Sequence, residues 1–140
     1  MERPDNRSYK LRGARATPAQ EAAYSALWDE FGITPTGVID IAQYFPDSKR
    51  IIMEIGTGMG EATAEIARTF PEIGFFAVEL HKPGLGSLLS KIAEYELKNV
   101  RLISEDARVL LEECFPDSSL DGFHLYFPDP WPKVRHRKRR

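Results

Sequence analysis

Cysteine is nearly missing from these 140 residues, with Cys114 standing alone. One thiol closes no internal disulfide and builds no CxxC zinc site. Histidine is scarce too, and His81, His124 and His136 are scattered without metal-ligand spacing. No resident metal is expected. Long apolar runs are absent, and none approaches the roughly 20 residues of a membrane span. Met1-Glu2-Arg3-Pro4-Asp5 carries no apolar signal core, so the expected location is cytoplasmic. What is present is ordinary for a globular chain. Hydrophobic residues make up 42%, too many for a disordered polymer, and the length suits one domain.

The formal net charge of −2 conceals a partition. Residues 1–15 carry five basic and two acidic side chains, for +3. Residues 16–132 carry eight basic and 19 acidic ones, for −11. Residues 133–140 carry Lys133, Arg135, Arg137, Lys138, Arg139 and Arg140, for +6. An acidic body with basic ends points to a polyanion met near the ends, not to a uniformly basic coat.

Residues 1–16 read as a flexible basic arm, and residues 17–140 as the folded domain. Thr17-Pro18-Ala19-Gln20 is a helix start, with a capping threonine, a proline at the first helical position and a glutamine to complete a capping box. Tyr24, Leu27, Trp28 and Phe31 follow at helical spacing, and Gly32 stops the helix. A short helix is expected over Asp40 to Phe45. Strands are then expected over Arg50–Ile55, Gly74–Glu79, Asn99–Ile103 and Asp121–Phe127. Helices are expected between them over Gly60–Phe70, Pro83–Leu97 and Ala107–Cys114. Such alternation predicts an α/β, Rossmann-like parallel sheet with helices on both faces. The four strands, counted along the chain, would lie in the order 3-2-1-4.

Glu54-Ile55-Gly56-Thr57-Gly58-Met59-Gly60 joins the first of these strands to its helix. Gly56, Gly58 and Gly60 permit a tight turn and close approach of backbone to a ligand. A dinucleotide fingerprint needs glycine at 61, where Glu61 stands, and a carboxylate there would repel a pyrophosphate. A ligand with a cationic end and no phosphates fits better, and S-adenosyl-L-methionine has both properties. A plain turn without a cofactor is the alternative.

Four carboxylates fall at expected strand ends: Glu54, Glu79, Asp106 and Asp129. Their spacings of 25, 27 and 23 each approach one strand-helix repeat, which sets all four on the carboxyl edge of the sheet. Glu79 follows the glycine turn at the distance of an acid that accepts from ribose hydroxyls. Asp106 could accept from the adenine amino group, and Glu54 could hold an ammonium group. Asp129 would lie across the crevice, near a transferring methyl. A solvated turn residue is the plain alternative for any one of them.

Phe127-Pro128-Asp129-Pro130-Trp131-Pro132-Lys133 is the most specific stretch. Three prolines stiffen it, so one carboxylate can be presented at little ordering cost. Trp131 offers a flat face for a base or for ordinary packing. Lys133, Arg135, Arg137, Lys138, Arg139 and Arg140 read as contacts to a phosphate backbone, with His136 among them as a further contact to the same partner, the alternative being a solvated charge run.

That stretch continues into Arg135-His136 and Lys138-Arg139-Arg140. With the Glu54–Gly60 turn, it resembles the bacterial tRNA (guanine-N7)-methyltransferases, a branch of the class I S-adenosylmethionine-dependent enzymes. The likeness spans residues 7–140. It implies methyl transfer to N7 of a guanine in the tRNA variable loop, with tRNA as partner and S-adenosyl-L-methionine as cofactor. It also implies cofactor contacts at Glu54, Glu79, Asp106 and Asp129, Asp129 as the catalytic residue and Lys133 as a tRNA contact. Members of that family continue past this motif with further strands. The expectation is therefore an N-terminal portion holding four strands of seven, with the fourth as a sheet edge. Two rival readings stand beside it. An adenine amino-group methyltransferase would use an Asp/Asn-Pro-Pro-aromatic loop, which Asp129-Pro130-Trp131 approaches without its second proline. A tRNA-binding or cofactor-binding module without activity is the other.

Overall fold

The computed structural model describes residues 15–126. The expected arm and the Phe127–Lys133 stretch with its basic tail therefore lie outside the described residues, apart from Arg15 and Ala16.

Helix α1 (Pro18–Phe31) starts as its sequence dictates. Gln20 N donates to Thr17 Oγ1 at 3.1 Å, and Thr17 N donates to Gln20 Oε1 at 2.8 Å. This reciprocal pair satisfies two donors at the open end of the helix. Its face of Tyr24, Leu27, Trp28 and Phe31 packs half-buried against the core. Gly32 ends the helix in an extended conformation, and a side chain there would strike the Trp28 ring. Gly32–Ile33 then forms a two-residue strand, β1, that the sequence did not announce.

The remaining elements follow the expected alternation. Helix α2 is Ile41–Tyr44, strand β2 Arg50–Ile55 and helix α3 Glu61–Thr69. Strand β3 is Ile73–Val78, helix α4 Lys82–Tyr95 and strand β4 Val100–Ile103. Helix α5 (Ala107–Val109) widens into π-helical turns over Leu110–Cys114, and strand β5 is Gly122–Leu125. All strand pairs are parallel, in the order β1-β4-β3-β2-β5. The four expected strands thus keep their expected order, and β1 adds a fifth beside β4.

Strand alternation divides the core between two faces. Ile52, Phe75, Ala77, Val100 and Leu102 join residues of α3 and α4 on one face, with α1 packed against them. Ile51, Met53, Phe76, Val78 and Ile103 join Ile39, Phe45, Leu110 and Phe115 on the other. Central strand β3 is buried throughout. Among the described residues, no helix is long and apolar enough to cross a membrane.

The topology also locates a crevice. From β2 the chain steps through β3 to β4, then crosses back to place β5 on the other side of β2. Strand order reverses between β2 and β5, and open α/β sheets bind ligands beyond the carboxyl ends of strands at such a point.

Candidate cofactor site

The glycine turn leaves β2 at this reversal point. Gly56 N donates to Val78 O at 2.9 Å, extending the β2–β3 ladder by one residue. Gly60 N closes the turn on Thr57 O at 2.9 Å, and Gly60 caps α3. The backbone is left-handed at Gly56 (φ 75°), Gly58 (φ 60°) and Gly60 (φ 85°). Their surroundings differ. A Cβ on Gly56 would sit 2.6 Å from Tyr126 O, and one on Gly60 would sit 2.7 Å from Leu88 Cβ. A Cβ on Gly58 would meet nothing within 4 Å. Two of the three glycines thus let protein approach protein, and Gly58 borders open space. Gly84 in the first turn of α4 completes the arrangement, since a Cβ there would strike Gly58 O. The sequence pattern does not single out Gly84, because its reason is an approach between distant segments.

The three described carboxylates sit at the carboxyl ends of β2, β3 and β4, each in a different environment. Glu54 is fully buried on β2. Its Oε2 accepts from Tyr126 Oη at 3.1 Å and lies 2.7 Å from His124 Nδ1, while Oε1 has no partner. Burial raises the Tyr126 pKa, and the Glu54 charge and hydrogen bond raise it further, so the phenol stays protonated and donates. Glu79 follows β3. Its Oε1 accepts from Gly58 N at 2.6 Å and its Oε2 from His81 N at 3.0 Å. It therefore fastens the glycine turn to the end of β3. Asp106 is exposed beyond β4 and caps α5, with Oδ1 accepting from Arg108 N at 2.7 Å. Asp129, Trp131, Lys133, Arg135, His136, Arg137, Lys138 and Arg139 lie outside the described residues. His124 and Tyr126 were not read as site residues from the sequence. The available signal was their alternation on the last strand, which sets both on one face.

Residues 48–140 match a family model described as "Putative methyltransferase". The chain belongs to that methyltransferase family. Methyltransferases are also its relatives at higher identity. The tRNA (guanine-N(7)-)-methyltransferase of Nitrosomonas europaea is 49% identical over 138 residues, a match covering 98% of this chain and 62% of that protein. The enzyme of the same name from Neisseria meningitidis serogroup B is 49% identical over 138 residues, covering 96% of this chain and 57% of that one. The chain thus spans about three fifths of the length of these curated relatives.

Solved methyltransferase structures share the fold. The 16S rRNA methyltransferase KamB superposes with a TM-score of 0.53 at 21% identity, covering 71% of this chain and 46% of that one. An antibiotic-related methyltransferase gives 0.53 at 18% identity, covering 72% of this chain and 52% of that one. The parallel α/β sheet of this chain is thus a fold shared with solved methyltransferases. Among the described residues, no cluster of three or more His, Cys, Asp or Glu side chains could hold a metal.

Proposed function

We propose that this chain takes part in methyl transfer from S-adenosyl-L-methionine to N7 of a guanine in the tRNA variable loop. The observation that carries the cofactor reading is the Glu54 carboxylate, fully buried at the strand-order reversal with one oxygen left unpartnered. A buried anionic oxygen is costly unless a cation or donor meets it, and an ammonium group supplies both. The open space beside Gly58 and the neighbouring Glu79 suit the ribose end of the same ligand. Each Glu79 oxygen takes one backbone N–H in the structure and keeps a further lone pair for a hydroxyl. Asp106, beyond the next strand, would accept from the adenine amino group. The substrate assignment rests on 49% identity to enzymes named for tRNA guanine-N7 methylation. That reading carries a cytoplasmic location with it, and residues 17–140 as the methyltransferase domain.

S-adenosyl-L-methionine supplies an electrophilic methyl group on a sulfonium, which leaves as a neutral thioether. Guanine N7 has a free lone pair, so attack on that carbon releases no proton and needs no strong general base. The positive charge passes to the purine, and the chain's work is alignment and electrostatic stabilisation. Glu54 would anchor the amino-acid end and Glu79 the ribose. Asp129, in its proline-stiffened stretch, would orient the guanine and face the developing cation. Trp131 would stack on a base, and Lys133, Arg135, His136, Arg137, Lys138 and Arg139 would meet phosphates.

The test is transfer of labelled methyl from the cofactor to tRNA, followed by strand cleavage chemistry selective for N7-methylguanine. Label that cleaves at one guanine is expected. Label without cleavage would favour the adenine-amino reading, and tRNA binding without label would favour an inactive binding module.

A further inference from the structure

The Glu54 carboxylate is held by two side chains that no reading of the reaction requires. The β2–β5 register pairs Glu54 with His124, and Tyr126 follows two residues later on the same face of the sheet. Both polar groups reach one oxygen. His124 Nδ1 lies 2.7 Å from Oε2, and Tyr126 Oη donates to Oε2 at 3.1 Å. The other oxygen, Oε1, is buried and partnerless. A core position meant only for packing would carry an apolar residue, as neighbouring Ile52 and Met53 do on this strand. Two polar partners on a single oxygen do something packing does not. They fix the plane of the carboxylate and reserve its second oxygen.

Tyr126 ties this arrangement to the glycine turn through its backbone as well. Its N–H donates to Ile55 O at 3.0 Å, and its carbonyl occupies the space a Gly56 side chain would need, 2.6 Å away. The same residue therefore sets the position of the turn and the orientation of the acid before it. His124 keeps 41% of its side chain exposed, so it links the buried carboxylate to the protein surface.

We infer that His124 and Tyr126 are positioning residues that hold Glu54 with Oε1 presented to the ammonium group of the cofactor's amino-acid end. This rests on the cofactor reading above. It predicts a selective effect, since only a ligand bearing that ammonium gains from a correctly oriented Glu54.

Two ligands separate the possibilities. S-adenosylhomocysteine carries the amino-acid end, and 5′-methylthioadenosine lacks it but keeps the nucleoside. Calorimetry on the whole chain should show that Tyr126→Phe and His124→Ala each weaken S-adenosylhomocysteine about 3- to 10-fold, the net worth of one ordinary hydrogen bond. Affinity for 5′-methylthioadenosine should stay within about twofold of wild type. His124→Asn, which can place an amide N–H near the lost Nδ1, should recover most of the His124→Ala loss. Tyr126→Phe changes no carbon skeleton, so it carries the test if His124→Ala fails to fold. Equal weakening of both ligands would make the two residues merely structural and overturn the inference. So would unchanged affinity for both. A wild-type chain that binds 5′-methylthioadenosine no more weakly than S-adenosylhomocysteine would overturn the ammonium contact while sparing the nucleoside site. A wild-type chain that binds neither ligand would overturn the cofactor reading and this inference with it.

Discussion

Gly56 and Gly58 share a left-handed backbone and differ in what surrounds them. Gly56→Ala adds a clash with Tyr126 O to the backbone penalty, so a loss of about 2–4 kcal/mol of folding stability is expected from denaturant midpoints. Gly58→Ala should cost only about 1–2 kcal/mol, since its Cβ enters open space. Calorimetry should nonetheless find weaker cofactor binding, because that space is where the ligand is proposed to lie. Tyr126 adds a pH effect. Its pKa is raised in the folded chain, so the folded phenol stays protonated while the unfolded one ionises near the ordinary value of about 10. Its contribution is present below that pH and lost as pH rises. Between about pH 9 and about pH 10.5, wild type should lose more stability than Tyr126→Phe. At this scale the residue types were legible, and their neighbours were not. Glu54, Glu79 and Asp106 stood out by spacing alone. That Asp106 caps a helix and Glu79 fastens a turn depends on backbone N–H groups placed by the fold.

Helix α1 was legible to the residue, because its capping box and apolar face are written within three or four positions. Strand β1 was not, since two residues cannot display a period and its partner, Leu102–Ile103 on β4, lies some 70 residues away. The π-helical widening at Leu110–Cys114 was equally silent, because Ala107 to Cys114 reads locally as an ordinary helix. Asn99 shows how elements are joined. Its Nδ2 lies within 3.1 Å of Ala67 O, Phe70 O and Ile73 O, so one amide gathers the end of α3, the following turn and the start of β3 before β4 begins. Asn99→Ala would leave those carbonyls short of a donor in a buried place, at an expected cost of about 2–3 kcal/mol by chemical denaturation. It stands at the amino end of β4, away from the glycine turn. Cofactor affinity of the folded fraction should therefore hold, and a matching loss of affinity would show the sheet ends to be coupled.

Across the whole molecule, the charge partition and the sheet topology divide the work. The −11 body contains the three described carboxylates of the candidate site, gathered beyond the ends of β2, β3 and β4. The +6 segment over residues 133–140 follows the proline-rich stretch that would face the guanine. Replacing its six basic residues with glutamine should weaken tRNA binding and flatten its salt dependence, by about 0.7–0.9 in the log–log slope for each phosphate left unneutralised. Binding of S-adenosylhomocysteine should not change, and a filter-binding salt series with calorimetry checks both. Local sequence alone settles the alternation of strands and helices, the cap of α1, the tight turn at Gly56–Gly60 and which acids end which strands. These are properties of periods and short spacings, held within a few residues. It took the folded sheet to bury Glu54 and to bring up His124 and Tyr126, 70 and 72 residues away, which hold one of its oxygens and leave the other without a partner. The reason is that strand order and register are set by packing the whole sheet between its helices, and a local sequence pattern carries no record of which distant strand will lie beside it.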